Sequence, residues 1–237
     1  MRYLFFHAHP DDETLSTGAI ICGLTAAGHE VLVLTATRGE MGQAVEGSIA
    51  PGTDLTEVRM YERTAALAAL QATDAGWLGE PPNRAGCDPR VYRDSGMEWV
   101  SPMCAGPSPD SSPDSFWRAD FAEISADLWA ALRYYAPDVV VSYDTHGGYG
   151  HPDHVRCHEV AVRVTTDLGV PFAQITVEEG TGVLWFDAGD DPRLIEAHRA
   201  YSTQFSVRGE RVVHVGGQDQ GILRAAGLTI YHAVRDH

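Results

Sequence analysis

Two short, uninterrupted apolar runs limit the folds open to this 237-residue chain more than any other feature. Residues 31–34 and 139–141 contain only valine and leucine, without the alternating polar residues of a half-exposed strand. Strands of this kind are typical of parallel sheets that helices cover on both faces. A further strand is predicted at residues 2–6.

Segments of helical composition separate the predicted strands. This alternation indicates an α/β fold with a mostly parallel, Rossmann-like sheet and helices on both faces. The length fits a single domain, which we expect to span residues 1–237. Helices are predicted at residues 14–28, 55–71, 116–135, 153–168 and 192–203, and further strands at 74–78, 172–177, 182–186, 211–215 and 228–234.

A long polar stretch interrupts this pattern at residues 79–115. It is either a disordered linker or a binding loop, and loops this long inside a compact domain are more often binding loops. The sequence leaves open whether it closes over a ligand.

The acidic composition excludes some classes of partner. Lys and Arg number 17 against 33 Asp and Glu, which gives a formal net charge of −16. Nucleic-acid binding depends on clustered positive charge, so neither a nucleic acid nor an anionic membrane surface is an expected partner. The chain lacks an apolar stretch approaching the roughly 18 residues that span a bilayer. We therefore expect a soluble, cytoplasmic protein.

Two loops carry the residues that suit catalysis. The sequence His-Pro-Asp-Asp-Glu occupies residues 9–13, directly after the first predicted strand, and His-Pro-Asp-His occupies residues 151–154, after the strand at 139–141. In a Rossmann-type sheet these two strands are neighbours at the switch point, where ligands bind beyond the carboxyl ends of the strands. The two loops are therefore expected to meet.

His9, Asp12 and His154 from these loops suit a divalent metal ion. Imidazole nitrogen combined with carboxylate oxygen is typical of catalytic zinc, which keeps a fourth position for water. Zn²⁺ is therefore the expected cofactor, although Fe²⁺ and other divalent ions accept the same ligands.

The remaining polar residues of the loops have candidate roles in proton transfer. Asp11 is the candidate general base for a water molecule, His151 a candidate for stabilising an oxyanion, and Asp153 a candidate for setting the tautomer and charge of His151. Each motif also has a structural interpretation. A pair of aspartates before a helix often forms an N-cap, and His-Pro-Asp often forms a turn.

The two motifs resemble those of the PIG-L/LmbE-like N-deacetylases, with Ala8 preceding the first motif. The resemblance implies a Rossmann-like core at residues 1–205, followed by C-terminal strands at 206–237. It implies a zinc enzyme that removes acetyl groups, commonly from N-acetylglucosaminyl compounds. It also implies the same three metal ligands, Asp11 as general base, and a charged His151.

Further segments resemble the mycothiol branch of that family, which includes the deacetylase of N-acetylglucosaminyl-inositol and the amidase of mycothiol S-conjugates. They are residues 37–42, 92–97 and 147–150. By this analogy Tyr149 assists at the carbonyl oxygen or the leaving amine.

By the same analogy, Arg59 and Asp94 form hydrogen bonds with sugar hydroxyls. The structural alternatives are a packed loop aromatic for Tyr149, an ion pair of Arg59 with Glu62, and a turn closed by Asp94.

The expected activity is hydrolysis of an N-acetyl or other N-acyl amide on a small amino-sugar compound or glycoconjugate. One alternative is an amidase or deacylase of a larger conjugate, whose acyl group would need an apolar channel. Another is a metal-dependent sugar-binding protein without catalysis, which the presence of Asp11 and His151 disfavours. Candidate channel residues are Trp99, Met103, Phe116 and Trp117.

Overall fold

The structure, a computed structural model, describes residues 1–101 and 104–231. The strands are β1 Arg2–His7, β2 Glu30–Thr35, β3 Thr73–Trp77, β4 Met97–Ser101, β5 Cys104–Pro107, β6 Val139–Ser142, β7 Phe172–Thr176, β8 Val183–Asp187, β9 Phe205–Arg208, β10 Arg211–His214, β11 Asp219–Gly221 and β12 Ala225–Ile230. The helices are α1 Asp12–Leu15, α2 Gly18–Ala26, α3 Leu55–Leu70, α4 Phe121–Tyr135, α5 Gly147–Gly150, α6 Pro152–Leu168 and α7 Pro192–Ala200, with a 3-10 turn at Phe116–Arg118.

Seven strands form the central sheet, in the order β3-β2-β1-β6-β7-β12-β8. The first five of these pair in parallel, whereas β12 is antiparallel to both β7 and β8. Strand β1 pairs with β2 on one side and with β6 on the other. The predicted mostly parallel, Rossmann-like sheet is therefore confirmed, and β1 and β6 are neighbours at its switch point.

Helices cover both faces of this sheet, which explains the uninterrupted apolar runs. Phe5, Val33 and Val141 belong to one buried cluster, together with residues of α2, α3 and α7. Phe6 and Val140 belong to a second cluster, together with residues of α4 and α6. Since successive side chains of a strand point to opposite faces, a strand covered on both faces must be apolar at every position.

Three predicted element boundaries are wrong. The helix predicted at residues 14–28 is two helices, because Thr17 adopts a non-helical backbone and its hydroxyl donates to the carbonyl of Glu13. The helix predicted from residue 116 begins at Phe121, where the carboxylate of Asp120 caps it. The last predicted strand, 228–234, is β12, which ends at Ile230; residues 232–237 lie outside the described part of the chain.

The polar stretch at residues 79–115 contains the antiparallel pair β4 and β5. After residue 205 the chain forms a separate sheet, in the order β11-β10-β9, and then returns to the central sheet as β12. Strands β4, β5, β9 and β11 were not predicted. Among the described helices, none combines the length and the apolar character needed to cross a membrane.

Arg63 is a buried cation at an irregularity of the sheet. The register between β2 and β3 shifts between Val33 and Thr35. At this point the guanidinium donates to the carbonyl oxygen of Val33 (3.0 Å) and the hydroxyl of Thr35 (2.9 Å), and it pairs with Asp74 at 2.7 Å. It also lies 4.6 Å from the centroid of the Trp77 ring. Arg63 therefore supplies hydrogen bonds where the ladder is interrupted.

We expect Arg63→Ala to lower the free energy of unfolding by about 2–4 kcal/mol, because buried acceptors lose their donor and Trp77 loses packing. Arg163→Ala is the matched control, since Arg163 is exposed and pairs with Asp167 one helical turn away. Urea unfolding followed by circular dichroism gives both midpoints. An equal effect of the two substitutions would contradict the structural role of Arg63.

Candidate active site

The two motif loops meet at the carboxyl ends of β1 and β6, as predicted from a Rossmann-type order. The first loop leads from β1 into α1, and the second leads through α5 into α6. Nε2 of His154 lies 3.3 Å from Nδ1 of His9, across 145 residues of sequence. This contact places the candidate metal ligands of the two loops side by side.

The donor atoms of His9, Asp12 and His154 form a small triangle. The two carboxylate oxygens of Asp12 lie 3.4 Å from Nδ1 of His9 and 3.4 Å from Nε2 of His154. Ligands at about 2.0–2.2 Å from a tetrahedral zinc ion lie roughly 3.3–3.5 Å from one another. Each imidazole nitrogen has its own Asp12 oxygen at this spacing, Oδ2 for His9 and Oδ1 for His154, and the chemistry of these donors fits zinc.

The outer ring nitrogens of both histidines have partners of their own. Nδ1 of His154 lies 3.2 Å from the carbonyl oxygen of Gly147, and Nε2 of His9 lies 3.2 Å from Oδ2 of Asp153. A ring nitrogen facing an acceptor carries the proton, which leaves the other nitrogen as a lone-pair donor. The two unprotonated nitrogens then face each other and Asp12.

The side chain of Asp153 contacts His9 and not His151. Its carboxylate contacts His9 and accepts hydrogen bonds from the backbone N–H of Ser95 (2.9 Å) and from the hydroxyl of Ser95. Only the backbone N–H of Asp153 reaches His151. The reason is that the second residue of α6 points its side chain across to β1. Asp153 therefore orients His9 instead of His151.

His151 caps α6 through its ring. Nδ1 accepts the backbone N–H of Asp153 at 3.2 Å, which leaves the proton on Nε2. Burial, with His9 and His154 nearby, holds the pKa of His151 well below its usual value. This direction favours the uncharged ring, which differs from the charged His151 that the resemblance implies. The ring centroid of His151 lies 4.5 Å from that of His9, so the ring faces the site.

His151 is an alternative third metal ligand. One ring nitrogen from each of His9, His151 and His154 lies within 4.8 Å of the other two nitrogens. Asp12 has one oxygen 3.4 Å from Nδ1 of His9 and the other 3.4 Å from Nε2 of His154. Nδ1 of His151 is already occupied by the helix cap. Asp12 is therefore the better third ligand.

Asp11 has a strained backbone and an unbonded carboxylate. Its φ of 102° is rare for a residue other than glycine. Its backbone carbonyl accepts from Thr14 and Leu15, but its side chain makes no capping bond to α1. Burial raises the pKa of Asp11 well above its usual value, and the carboxylates of Asp12 and Glu13 raise it further. The side chain therefore does not serve as the N-cap and is available to accept a proton.

Asp94 lies next to His9 and also closes a turn. Oδ1 accepts the backbone N–H of Gly96 at 2.8 Å and lies 3.4 Å from Nε2 of His9, and Oδ2 accepts the N–H of Met41 at 3.3 Å. Oδ1 of Asp94 therefore closes a turn, as the structural alternative for this residue predicts.

Arg59 is buried and makes no ion pair among the described residues. Its Nη2 donates to the carbonyl of Gln43 at 3.3 Å, and its Nε has no partner. Glu62, the expected partner, accepts hydrogen bonds from Ser202 and Thr203 instead. The ion-pair alternative for Arg59 is therefore wrong.

Tyr149 lies at the entrance to the site. Its side chain is 42% exposed, and its ring centroid lies 5.3 Å from that of His154. Of the candidate channel residues, Phe116 is fully buried against Tyr92, and Met103 lies outside the described residues. An apolar channel lined by Phe116 is therefore excluded.

Sequence reasoning missed Tyr143. Its hydroxyl donates to Oδ2 of Asp12 at 2.6 Å and accepts the backbone N–H of Ala8 at 2.8 Å, and its ring stacks on His154 with centroids 4.0 Å apart. The only available signal was its position directly after the strand at 139–142, at the edge where ligands bind.

Residues 4–165 match the PIG-L family, described as GlcNAc-PI de-N-acetylase. A 1D-myo-inositol 2-acetamido-2-deoxy-alpha-D-glucopyranoside deacetylase from Kineococcus radiotolerans is 44% identical over 68% of this chain and 44% of its own length. One from Saccharopolyspora erythraea is 40% identical over 83% of this chain and 66% of its own length. The chain spans about half the length of the curated relatives it matches first, 44% and 55% for two of them.

Solved structures share the fold at lower identity. The zinc-inhibited form of teicoplanin deacetylase Orf2 has a TM-score of 0.57 and 22% identity over 85% of this chain and 84% of that chain. N,N'-diacetylchitobiose deacetylase from Pyrococcus horikoshii has a TM-score of 0.55 and 22% identity, covering 84% of this chain and 70% of that chain. With more than half of its residues matched, and with similarity to enzymes of the mycothiol branch, this chain belongs to the PIG-L family.

Proposed function

We propose that this protein is a zinc-dependent N-deacetylase that hydrolyses the acetamide of a small, amino-sugar-containing glycoconjugate. The observation that carries the proposal is the triangle of donor atoms from His9, Asp12 and His154, with each imidazole oriented by an acceptor behind it. The names of the relatives support an N-acetylated glucosamine unit as the substrate.

His9, Asp12 and His154 would hold the metal ion. Zinc bound there supplies Lewis acidity, which polarises a carbonyl and lowers the pKa of a bound water to about 7. Asp153 keeps the proton of His9 on Nε2, and Gly147 keeps that of His154 on Nδ1. Fe²⁺ remains compatible with the same nitrogen and oxygen ligands.

Asp11 acts as the general base. Its carboxylate accepts a proton from the water whose oxygen adds to the amide carbon. When the C–N bond breaks, the same carboxyl returns the proton to the leaving nitrogen, so acetate and a free amine are the products. Burial raises the pKa of Asp11, which suits this return, because a carboxyl of ordinary pKa is almost fully ionised near neutrality.

His151 and Tyr149 stabilise the charge that develops on the carbonyl oxygen. Nε2–H of His151 is available because Nδ1 is occupied by the helix cap. The hydroxyl of Tyr149 is a second donor on the exposed side of His154. Hydrogen-bond donors that are already oriented stabilise the developing charge more than water does, because they do not have to reorient during the reaction.

Arg59 and Asp94 are the proposed contacts for sugar hydroxyls. Arg59 makes no ion pair among the described residues, and Asp94 lies beside His9. A larger conjugate, as for an amidase, is a weaker alternative, because Phe116 does not line a channel. The test is acetate release from N-acetylglucosaminyl-inositol with zinc supplied and with chelator added, and the chelator should abolish it.

Asp11→Asn is expected to lower kcat by about 10²–10⁴-fold while zinc content stays at the wild-type level, because the substitution removes a proton acceptor and keeps the side-chain volume. Kinetics and metal analysis by mass spectrometry check both quantities. Near-normal turnover of Asp11→Asn would show that another group is the base.

The variant Asp11→Gly separates the backbone strain at this position from the role of the side chain in turnover. Glycine adopts the φ of 102° without steric cost, so this variant should match Asp11→Asn in lost turnover yet unfold at a higher temperature than wild type. Scanning calorimetry measures the difference, and a lower unfolding temperature would contradict strain at this position.

His154→Ala is expected to lose both zinc and turnover. His158→Ala is the matched control, because His158 lies one turn later on α6 and contacts the carbonyl of Tyr143 outside the donor triangle. His158→Ala should retain zinc, measured on protein dialysed against buffer with trace metal. Zinc retention by His154→Ala would overturn the assignment of this ligand.

A further inference from the structure

Two exposed aromatic rings stand together at the entrance to the candidate site. Trp99 of β4 is 47% exposed and Tyr149 of α5 is 42% exposed. Their ring centroids lie 5.7 Å apart, with 34° between the planes. We call this pair the aromatic platform. Exposed aromatic surface adjacent to a polar cleft is typical of a binding surface, because leaving it in water is unfavourable.

The platform continues the site outward. The Tyr149 ring contacts His154, at 5.3 Å between centroids, and Trp99 lies on the other side of Tyr149. A group bound on Trp99 is therefore separated from the metal ligands by a single aromatic ring. This position suits the part of a substrate next to the acetamido sugar.

The backbone holds β4 and β5 firmly against the site. Strand β4 follows Asp94 and Ser95, whose side chains contact His9 and Asp153. A Cβ atom on Gly150 would lie 2.9 Å from the carbonyl oxygen of Ala105 in β5, so only glycine permits this close approach. The position of Trp99 relative to the metal ligands is therefore set by direct contacts.

An irregularity of the β4–β5 ladder begins at Trp99. Trp99 pairs with Ala105, but the register has shifted by the next paired residue, Ser101. Irregularities of this kind redirect a side chain and are frequent next to active sites. The irregularity at Trp99 therefore explains why its ring is directed toward Tyr149.

We propose that the aromatic platform binds the second ring of the substrate, a neutral sugar or cyclitol joined to the N-acetylglucosamine unit. This inference rests on the proposed deacetylase function and extends it to a subsite. The C–H face of such a ring packs on aromatic faces, while its hydroxyls remain in water. The carboxylate of Asp94 beside His9 and the net charge of −16 on the chain favour a neutral ring over an anionic one.

The experiment compares three substrates: N-acetylglucosamine, N-acetylglucosaminyl-inositol, and N-butanoylglucosamine, which has a longer acyl group. Trp99→Ala should raise KM for the two-ring substrate roughly tenfold relative to the one-ring substrate, with little change in kcat, because stacking binds ground state and transition state alike. Trp99→Phe should retain most of the preference. Trp129→Ala is the control, since Trp129 is 44% exposed on α4 and contacts none of the site residues.

Two kinetic outcomes would overturn the proposal. An equal rise in KM for the one-ring and two-ring substrates would show that Trp99 has no role in the second ring. A loss confined to N-butanoylglucosamine would show that Trp99 contacts the acyl group.

A binding measurement tests the aromatic platform independently of the proposed deacetylase activity. If wild-type protein hydrolyses none of the three substrates, the deacetylase proposal fails, and calorimetry with glucosaminyl-inositol and glucosamine still tests the platform. Zinc-loaded wild type should bind the two-ring compound about tenfold more tightly, and Trp99→Ala should lose this difference. Equal affinities in wild type would overturn the platform as a subsite.

Discussion

The hydrogen bond from the Tyr143 hydroxyl to Asp12 is the interaction on which the rest of the site depends. It joins the residue that follows β6 to the loop that follows β1, at 2.6 Å. The same carboxylate oxygen accepts the backbone N–H of His9 at 2.9 Å, and the Tyr143 ring stacks on His154. One tyrosine therefore positions two of the three donors. This arrangement requires β1 and β6 to be neighbours, which is what the strand order at the switch point provides.

The electrostatics of the site favour a bound cation. Burial alone would raise the pKa of Asp12, yet His154 and His9 hold it well below its usual range. Burial would likewise lower the pKa of His9, but the carboxylates of Asp94, Asp12 and Asp153 raise it well above 6.5. The raised pKa of His9 reflects the negative charge of the surrounding carboxylates, and the lowered pKa of Asp12 reflects its pairing with the two imidazoles. Burying several carboxylates close together is unfavourable in free energy unless positive charge offsets their repulsion. A divalent ion supplies that charge.

The sequence was sufficient to predict that the candidate metal ligands lie close together, but not which groups orient them. His9, Asp12 and His154 lie in loops whose positions follow from the strand pattern. The partner of each outer nitrogen depends on the direction of a side chain within a loop. Asp153 therefore contacts His9 instead of the adjacent His151. Spacing along a helix failed for a similar reason at Arg59 and Glu62, because the buried carboxylate of Glu62 accepts hydrogen bonds from the distant residues Ser202 and Thr203 instead.

Strain and rigidity are concentrated at the residues that the proposed chemistry uses. The backbone of Asp11 has φ of 102°, and its N–H donates to Glu13 at 3.2 Å. Glu13 is itself fully buried and accepts the hydroxyl of Tyr201 from beyond the end of α7, at 2.6 Å. Packing of α7 against the first loop therefore maintains a backbone conformation that isolated aspartate avoids. Strain of this kind persists only where surrounding contacts determine the conformation, so the stability of the core is what keeps the Asp11 carboxylate free of capping bonds and available for the proposed proton transfer.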